Sequence, residues 1–253
     1  MKIAIVSDLH ANREAAEAVW AHLSDQNVEQ LVCLGDVVGY GPDPEFCVDL
    51  VRGHTEFCLM GNHDEALFRD ASDFNSYARQ AIEYTARRMR PRWWSSTQRR
   101  ERWEYLSKLE LSKSLGRFSF YHGSPRDPVR EYVLSTDGLL NPEKLRGVFD
   151  CLEGVGFAGH THQPGMHDEN LQWHGLGGAE TFRLPLPEGR KAFVNVGSVG
   201  QPRDGDPRAC YAILEDEQVI WHRVEYDIRQ TQQKIIATRE LPEILARRLA
   251  VGK

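Results

Sequence analysis

No stretch of this 253-residue chain approaches the ~20 consecutive apolar residues that a membrane-spanning helix requires, so the sequence gives no span. Disulfide chemistry is equally unsupported. The five cysteines, at 33, 47, 58, 151 and 210, are odd in number and form no Cys-x-x-Cys pair; Cys33 and Cys58 sit inside apolar runs and read as small core residues of a reducing compartment. The apolar residues at the start, Met1 to Val6, are too few for a signal peptide and end in Ser-Asp, so they read as a strand. Excess positive charge is also missing: the net charge is −6, which argues against a dedicated nucleic-acid binder. No repeat, low-complexity tract or linker divides the chain. The expectation is one domain, residues 1–253, in a soluble cytoplasmic protein without membrane association.

The N-terminal part alternates strand and helix. Lys2–Ser7, Gln30–Leu34 and Glu56–Met60 read as strands, the first apolar throughout and so buried on both faces. Asn12–Ser24 is an amphipathic helix with Ala15, Ala16, Val19 and Leu23 on one face, and Pro44–Arg52 is a second. This βαβαβ order predicts parallel strands whose carboxyl ends carry the ligand site. Residues from about 70 to 113 change character: nine Lys/Arg stand against three Glu between 76 and 108, about +6 there and about −12 elsewhere. That segment reads as a helical cap insertion broken at Pro91, with Trp93, Trp94 and Trp103 as anchors against the main body. Strands are expected at Arg117–His122, Gly156–Ala158, Lys191–Val196, Ala209–Glu215 and Gln218–Val224, the last two as a hairpin in a second, more antiparallel sheet. Helices follow, from Asp227 as N-cap to Arg239 and from Pro242 to Leu249.

Polar clusters punctuate these elements: Asp8-Leu9-His10, Gly35-Asp36, Gly61-Asn62-His63-Asp64, His122 and Gly159-His160-Thr161-His162. Asp8 and His10, two apart at a strand end, would point the same way by the period of a strand, and His160 and His162 repeat the spacing. Asp36 offers a carboxylate that can bridge two cations, one oxygen to each, while Asn62 offers an amide oxygen and His122 an imidazole. Mixed nitrogen and oxygen donors suit Mn, Fe, Zn, Co or Ni better than Ca or Mg. Each block alone is a weak motif; the ordered set points to two divalent transition-metal ions acting on a phosphate ester.

The ordered set resembles the motif of the calcineurin-like metallophosphoesterase superfamily, D-x-H, G-D, G-N-H-[DE], H, G-H-x-H, over Met1 to Val224. The run from Asn195 to Arg208 is similar to that of its small bacterial and archaeal branch, which includes phosphodiesterases and dinucleoside tetraphosphate hydrolases. The resemblance implies an α/β fold, a four-layer αββα sandwich of two mixed sheets. It also implies one metal held by Asp8, His10, Asp36 and His162, and another by Asp36, Asn62, His122 and His160. His63 would be the general acid, oriented by Asp64 through its second ring nitrogen. The implied reaction is hydrolysis of a small-molecule phosphodiester or dinucleoside polyphosphate by metal-activated hydroxide. Phosphomonoester or phosphoprotein hydrolysis, or a non-catalytic metal-binding scaffold, are the alternatives. Arg203 is a candidate phosphate ligand or a surface partner of Asp204 or Asp206, and Asn12 a contact to a metal-bound water or the phosphate, a helix N-cap, or both.

Overall fold

A computed structural model describes residues 1–186 and 188–253. In chain order the elements are β1 (Lys2–Val6), α1 (Arg13–Ser24), β2 (Gln30–Cys33), α2 (Pro44–His54), β3 (Phe57–Cys58), α3 (Asn62–Glu65), α4 (Ser76–Met89), α5 (Thr97–Ser107), β4 (Ser112–Leu115) and β5 (Phe118–Tyr121). There follow α6 (Asp137–Leu140), α7 (Pro142–Asp150), β6 (Val155–Ala158), β7 (Gly165–Asp168), β8 (Trp173–Gly175), β9 (Thr181–Pro185), β10 (Ala192–Asn195), β11 (Ala209–Glu215), β12 (Gln218–Val224), α8 (Ile228–Thr238) and α9 (Glu243–Leu249). They build two six-stranded mixed sheets, ordered β3-β2-β1-β11-β12-β9 and β4-β5-β6-β10-β7-β8.

The alternation of β1 explains the layering. Ile3 and Ile5 face the second sheet and join Phe120, Phe157, Val194 and Trp221 in the central core, while Ala4 and Val6 face α1 and α2 through Ala15, Val19, Cys47 and Val48. On the outer face of the second sheet, Leu145, Val148 and Phe149 of α7 cover Ala158 and Phe193. Helix, sheet, sheet, helix is the expected αββα sandwich. β1, β2 and β3 run parallel, as their helical crossovers require. The β11–β12 hairpin, turned at Asp216 and Glu217 with positive φ, forms as expected. It does not belong to the second sheet, however. It pairs antiparallel with β1 and completes the first, while β9 caps the free edge of β12.

The cap is partly corrected. Its two helices break at Pro91, but they are fused to the body: Ile82, Met89 and Leu106 lie in the same apolar cluster as α1 and α2. Arg88 pairs with Glu45 and Arg102 with Asp49 of α2. Those pairs, with Arg87–Glu240, set three outside carboxylates against the segment's excess positive charge. Trp103 packs on Phe68, but Trp93 and Trp94 are 84% and 61% exposed and pack on each other. Met89→Ala and Leu106→Ala are each expected to cost about 2–5 kcal/mol, as buried Met or Leu truncations do, seen as a lower denaturant midpoint. A loss under about 0.5 kcal/mol, the usual size for surface changes, would show the cap to be independent of the core. No helix among the described residues is long and apolar enough to cross a membrane.

Candidate metal centre

Seven side chains converge where β1, β2, β3, β5 and β6 end. Asp8, His10, Asp36, Asn62, His122, His160 and His162 are all buried. The strand period does not bring them together. β1 stops at Val6, and Asp8, His10, Asp36, His160 and His162 all adopt left-handed backbone, with φ between 47° and 64°. Such conformations cost of order 1–3 kcal/mol each and persist only where the surroundings impose them. Here backbone hydrogen bonds do so: Asp8 N–H donates to Gly35 O (2.9 Å), His10 N–H to Asp36 O (2.9 Å) and Gly200 N–H to Asp8 O (2.8 Å). Gly61 is required by close approach, since a Cβ there would meet Asp36 Oδ1 at 2.1 Å.

Each of the four imidazoles has one nitrogen against a backbone carbonyl. His10 Nδ1 faces Val38 O at 3.1 Å, His122 Nδ1 faces Leu34 O at 3.1 Å, His162 Nδ1 faces Gln201 O at 2.5 Å and His160 Nε2 faces Arg130 O at 3.1 Å. A carbonyl only accepts, so these nitrogens carry hydrogen, and in the neutral ring the opposite one presents its lone pair inward. The inward atoms crowd together. His10 Nε2 is 3.2 Å from His162 Nε2, and His122 Nε2 is 3.0 Å from His160 Nδ1 and 3.2 Å from Asn62 Oδ1. His162 Nε2 is 3.0 Å from Asp8 Oδ1, which has no hydrogen-bond donor. Buried electron pairs held this close repel one another unless a cation lies among them, so this donor set fits divalent metal.

Asp36 stands between the two groups of donors. Its Oδ2 is 3.6 Å from His10 Nε2 and 3.5 Å from His122 Nε2, whereas Oδ1 accepts the His63 backbone N–H at 2.8 Å. A single oxygen, Oδ2, thus faces both groups, while Oδ1 is engaged by the backbone. Burial pushes His10 well below the ordinary imidazole range, lowers His162 and pushes His160 down to about 3. His122 differs. Burial pushes it down, but the Asp36 and Asp8 carboxylates outweigh that and hold it up to about 9. A field that retains a proton there suits a metal cation as well.

Asp64 does not orient His63. Its carboxylate accepts from Gly61 N–H (3.1 Å), Val38 N–H (3.2 Å) and Val37 N–H (3.4 Å), tying the Asp36 turn to the start of α3. Burial and the neighbouring Asp36 charge nevertheless push Asp64 up to about 7. His63 Nδ1 is buried without a partner and packs against Gly39, where a Cβ would lie 2.4 Å away; Tyr40 and Phe74 hold the ring. Burial pushes His63 down to about 4. Asn12 is the N-cap of α1: Oδ1 accepts from Ala15 N–H and Thr231 Oγ1, and Nδ2 donates to Gly200 O. Both ends are engaged by protein, with Nδ2 also 3.4 Å from Tyr226 Oη, so the N-cap reading holds. Arg203 pairs with neither Asp204 nor Asp206, which hold Arg223 and Arg208; its Nη2 donates to Tyr40 Oη at 3.3 Å and Gln201 Oε1 at 3.1 Å.

A cavity of about 300 Å³ opens beside the cluster, lined by Tyr40, His63, Phe74, Arg130, Tyr132 and His160 among others. Arg130 and Tyr132 were not legible in the sequence. Tyr132 lies over His160 with ring centroids 3.7 Å apart, and Arg130 is clamped by Glu65 at 2.8 Å. His22, His54, His167, His174 and His222 lie outside the cluster, as expected.

Residues 1–218 match the calcineurin-like phosphoesterase superfamily domain. The chain belongs to that superfamily. Along 99% of its length it is 34% identical to an uncharacterized protein of Methanocaldococcus jannaschii, 98% of which is covered. The crystal structure of a metallophosphoesterase from Sphaerobacter thermophilus superposes with a TM-score of 0.84 at 37% identity, all of both chains covered. A hypothetical protein from Pyrococcus horikoshii OT3 shares the fold at a TM-score of 0.74 and 17% identity, with 100% of this chain and 98% of that one covered. As a calcineurin-like phosphoesterase, the chain is a metal-dependent phosphohydrolase, and its buried His/Asp groups are the residues able to hold divalent metal.

Proposed function

We propose that this phosphoesterase hydrolyses a phosphodiester or a dinucleoside polyphosphate with two divalent transition-metal ions, drawn from Mn, Fe, Zn, Co or Ni. Asp8, His10, Asp36 and His162 would hold one ion, and Asp36, Asn62, His122 and His160 the other. The observation that carries the reading is Asp36 Oδ2, set at 3.5–3.6 Å between two separate groups of inward lone pairs. When bound, such ions neutralise phosphate oxygens and acidify water.

The remaining roles fall to the chain. His63 lines the cavity, and with Nδ1 packed on Gly39 only Nε2 is left to reach a leaving oxygen. An anionic substrate beside the ring favours its protonated form, which suits a general acid. Arg203 would bind a phosphate oxygen, free of any acidic neighbour's pairing. Tyr40, Phe74 and Tyr132 give the cavity aromatic walls, which suit a flat ligand such as a nucleotide; Arg130 also lines it, paired with Glu65 and Asp73. One fold relative, at a TM-score of 0.53 and 20% identity, is a proposed diadenosine tetraphosphatase.

The test is hydrolysis of a phosphomonoester, a phosphodiester and a dinucleoside polyphosphate, each with Mn, Fe, Co, Ni or Mg added. The expected result is highest kcat/KM on a dinucleoside polyphosphate or nucleotide diester with a transition metal. Preference for phosphomonoesters or phosphopeptides would overturn the substrate class, and no hydrolysis with any metal would favour a binding scaffold.

A further inference from the structure

A second cationic feature lies one aromatic ring away from the metal cluster. Tyr40 is wedged against His10 and His63, with ring centroids 4.6 and 4.4 Å apart. Two guanidiniums approach the same tyrosine: the central carbon of Arg203 is 5.7 Å from the ring centroid and that of Arg248 is 5.6 Å. They come from different elements, the loop after β10 and the last helix, α9. The acidic side chains nearest in sequence are engaged elsewhere: Asp204 with Arg223, Asp206 with Arg208 and Glu243 with Arg247. Among the described residues neither Arg203 nor Arg248 has a carboxylate side chain as partner. Arg203 Nε is buried with nothing to donate to, and Arg248 Nε donates to the backbone oxygen of Lys253 at 2.8 Å.

Like charges gathered on one largely buried ring repel. Contact with the tyrosine face offsets only part of this, about 0.5–1 kcal/mol for each cation at exposed sites. Burial and the Arg203 charge both weaken the hold of Arg248 on its proton. An anion held by both guanidiniums would offset that repulsion and give the buried Arg203 Nε an acceptor, and the planar guanidinium fork matches phosphate oxygens.

We propose that Arg203 and Arg248 form a second anion subsite, which takes a phosphate group beyond the one that is attacked. The substrate is then a phosphoanhydride or an ester carrying at least two phosphate groups. The assignment of the attacked phosphate to the metal cluster rests on the function proposed above; the subsite itself rests on the two arginines. α9 is held against the site by its own apolar face, since Leu245 and Leu249 pack in the cluster that contains Tyr40, and this places Arg248 on that ring.

Inorganic tripolyphosphate and orthophosphate serve as probes, titrated calorimetrically into protein stripped of metal by chelator. Tripolyphosphate is expected to bind, and Arg203→Ala and Arg248→Ala each to weaken it about tenfold to hundredfold, the worth of a charge-assisted hydrogen bond. Arg247→Ala, on the same helix but paired with Glu243, should leave binding unchanged. If an alanine variant fails to fold by circular dichroism, Arg203→Gln and Arg248→Gln retain the packing of the stem and decide the matter. Equal binding by wild type and both variants would overturn the subsite, as would an equal loss in Arg247→Ala, which would reveal only a diffuse field. Orthophosphate binding as tight as tripolyphosphate, with the same arginine dependence, would overturn the link to a distal substrate phosphate and make this a site for free phosphate. Because no metal is present, these outcomes are independent of whether the protein hydrolyses the panel above.

Discussion

His63→Ala is expected to lower kcat roughly 10²–10⁴-fold on substrates with poor leaving groups, the usual contribution of a positioned general acid, and much less on p-nitrophenyl esters, whose leaving group needs little protonation. Metal content and folding should stay close to wild type if His63, whose ring also lies beside His10 and Asp36, is not itself a ligand; its backbone N–H, which holds Asp36 Oδ1, survives the substitution. The ratio of the two substrate classes is the decisive quantity. An equal loss on good and poor leaving groups would mean that His63 positions phosphate, and no loss on any substrate would remove it from the mechanism. Asp64→Asn is not a second version of this experiment. Asp64 holds the Val37, Val38 and Gly61 amides, so its loss should disturb the Asp36 turn and be read in metal occupancy.

Asp36→Asn should be more damaging. One oxygen of Asp36 faces both groups of donors, so a neutral side chain there weakens both sites together. Metal affinity is expected to fall by more than about 100-fold, the upper range seen when only a supporting partner of a ligand is lost, and activity on every substrate should fall with it. His122→Ala should reduce occupancy too, but mainly at the group it shares with Asn62 and His160. Metal analysis after reconstitution with Mn separates the cases. Two ions per chain in Asp36→Asn would exclude the shared-oxygen arrangement, and a single ion in the wild type would exclude the two-metal reading itself.

Ile3 to Val6, with a buried side chain at every position, already announced a strand covered on both faces, and Ala15, Ala16, Val19 and Leu23 announced the helix that covers one of them. Side-chain period is a local property, so the βαβαβ unit, the β11–β12 hairpin and the Asp227 cap of α8 were all legible. The chemistry of Asp8, His10, Asp36, Asn62, His122, His160 and His162 was legible for the same reason, since donor type is a property of the residue. What joined the residues was not. The partner of β11 is β1, some 200 positions earlier, and no local pattern specifies so distant an edge. The ligands meet through left-handed backbone and carbonyl acceptors at Leu34, Val38, Arg130 and Gln201, and a carbonyl is present at every position of any sequence. Asp64 and Asn12 carried the right donors for a site and were claimed instead by backbone amides and a helix cap. Trp93 and Trp94 had the composition of anchors and were left in solvent, because the core beneath the cap is filled by Ile82, Met89 and Leu106. The residues by themselves determined the elements and the donor atoms; only tertiary packing decided which atoms face one another, because that depends on distances between segments far apart in the chain.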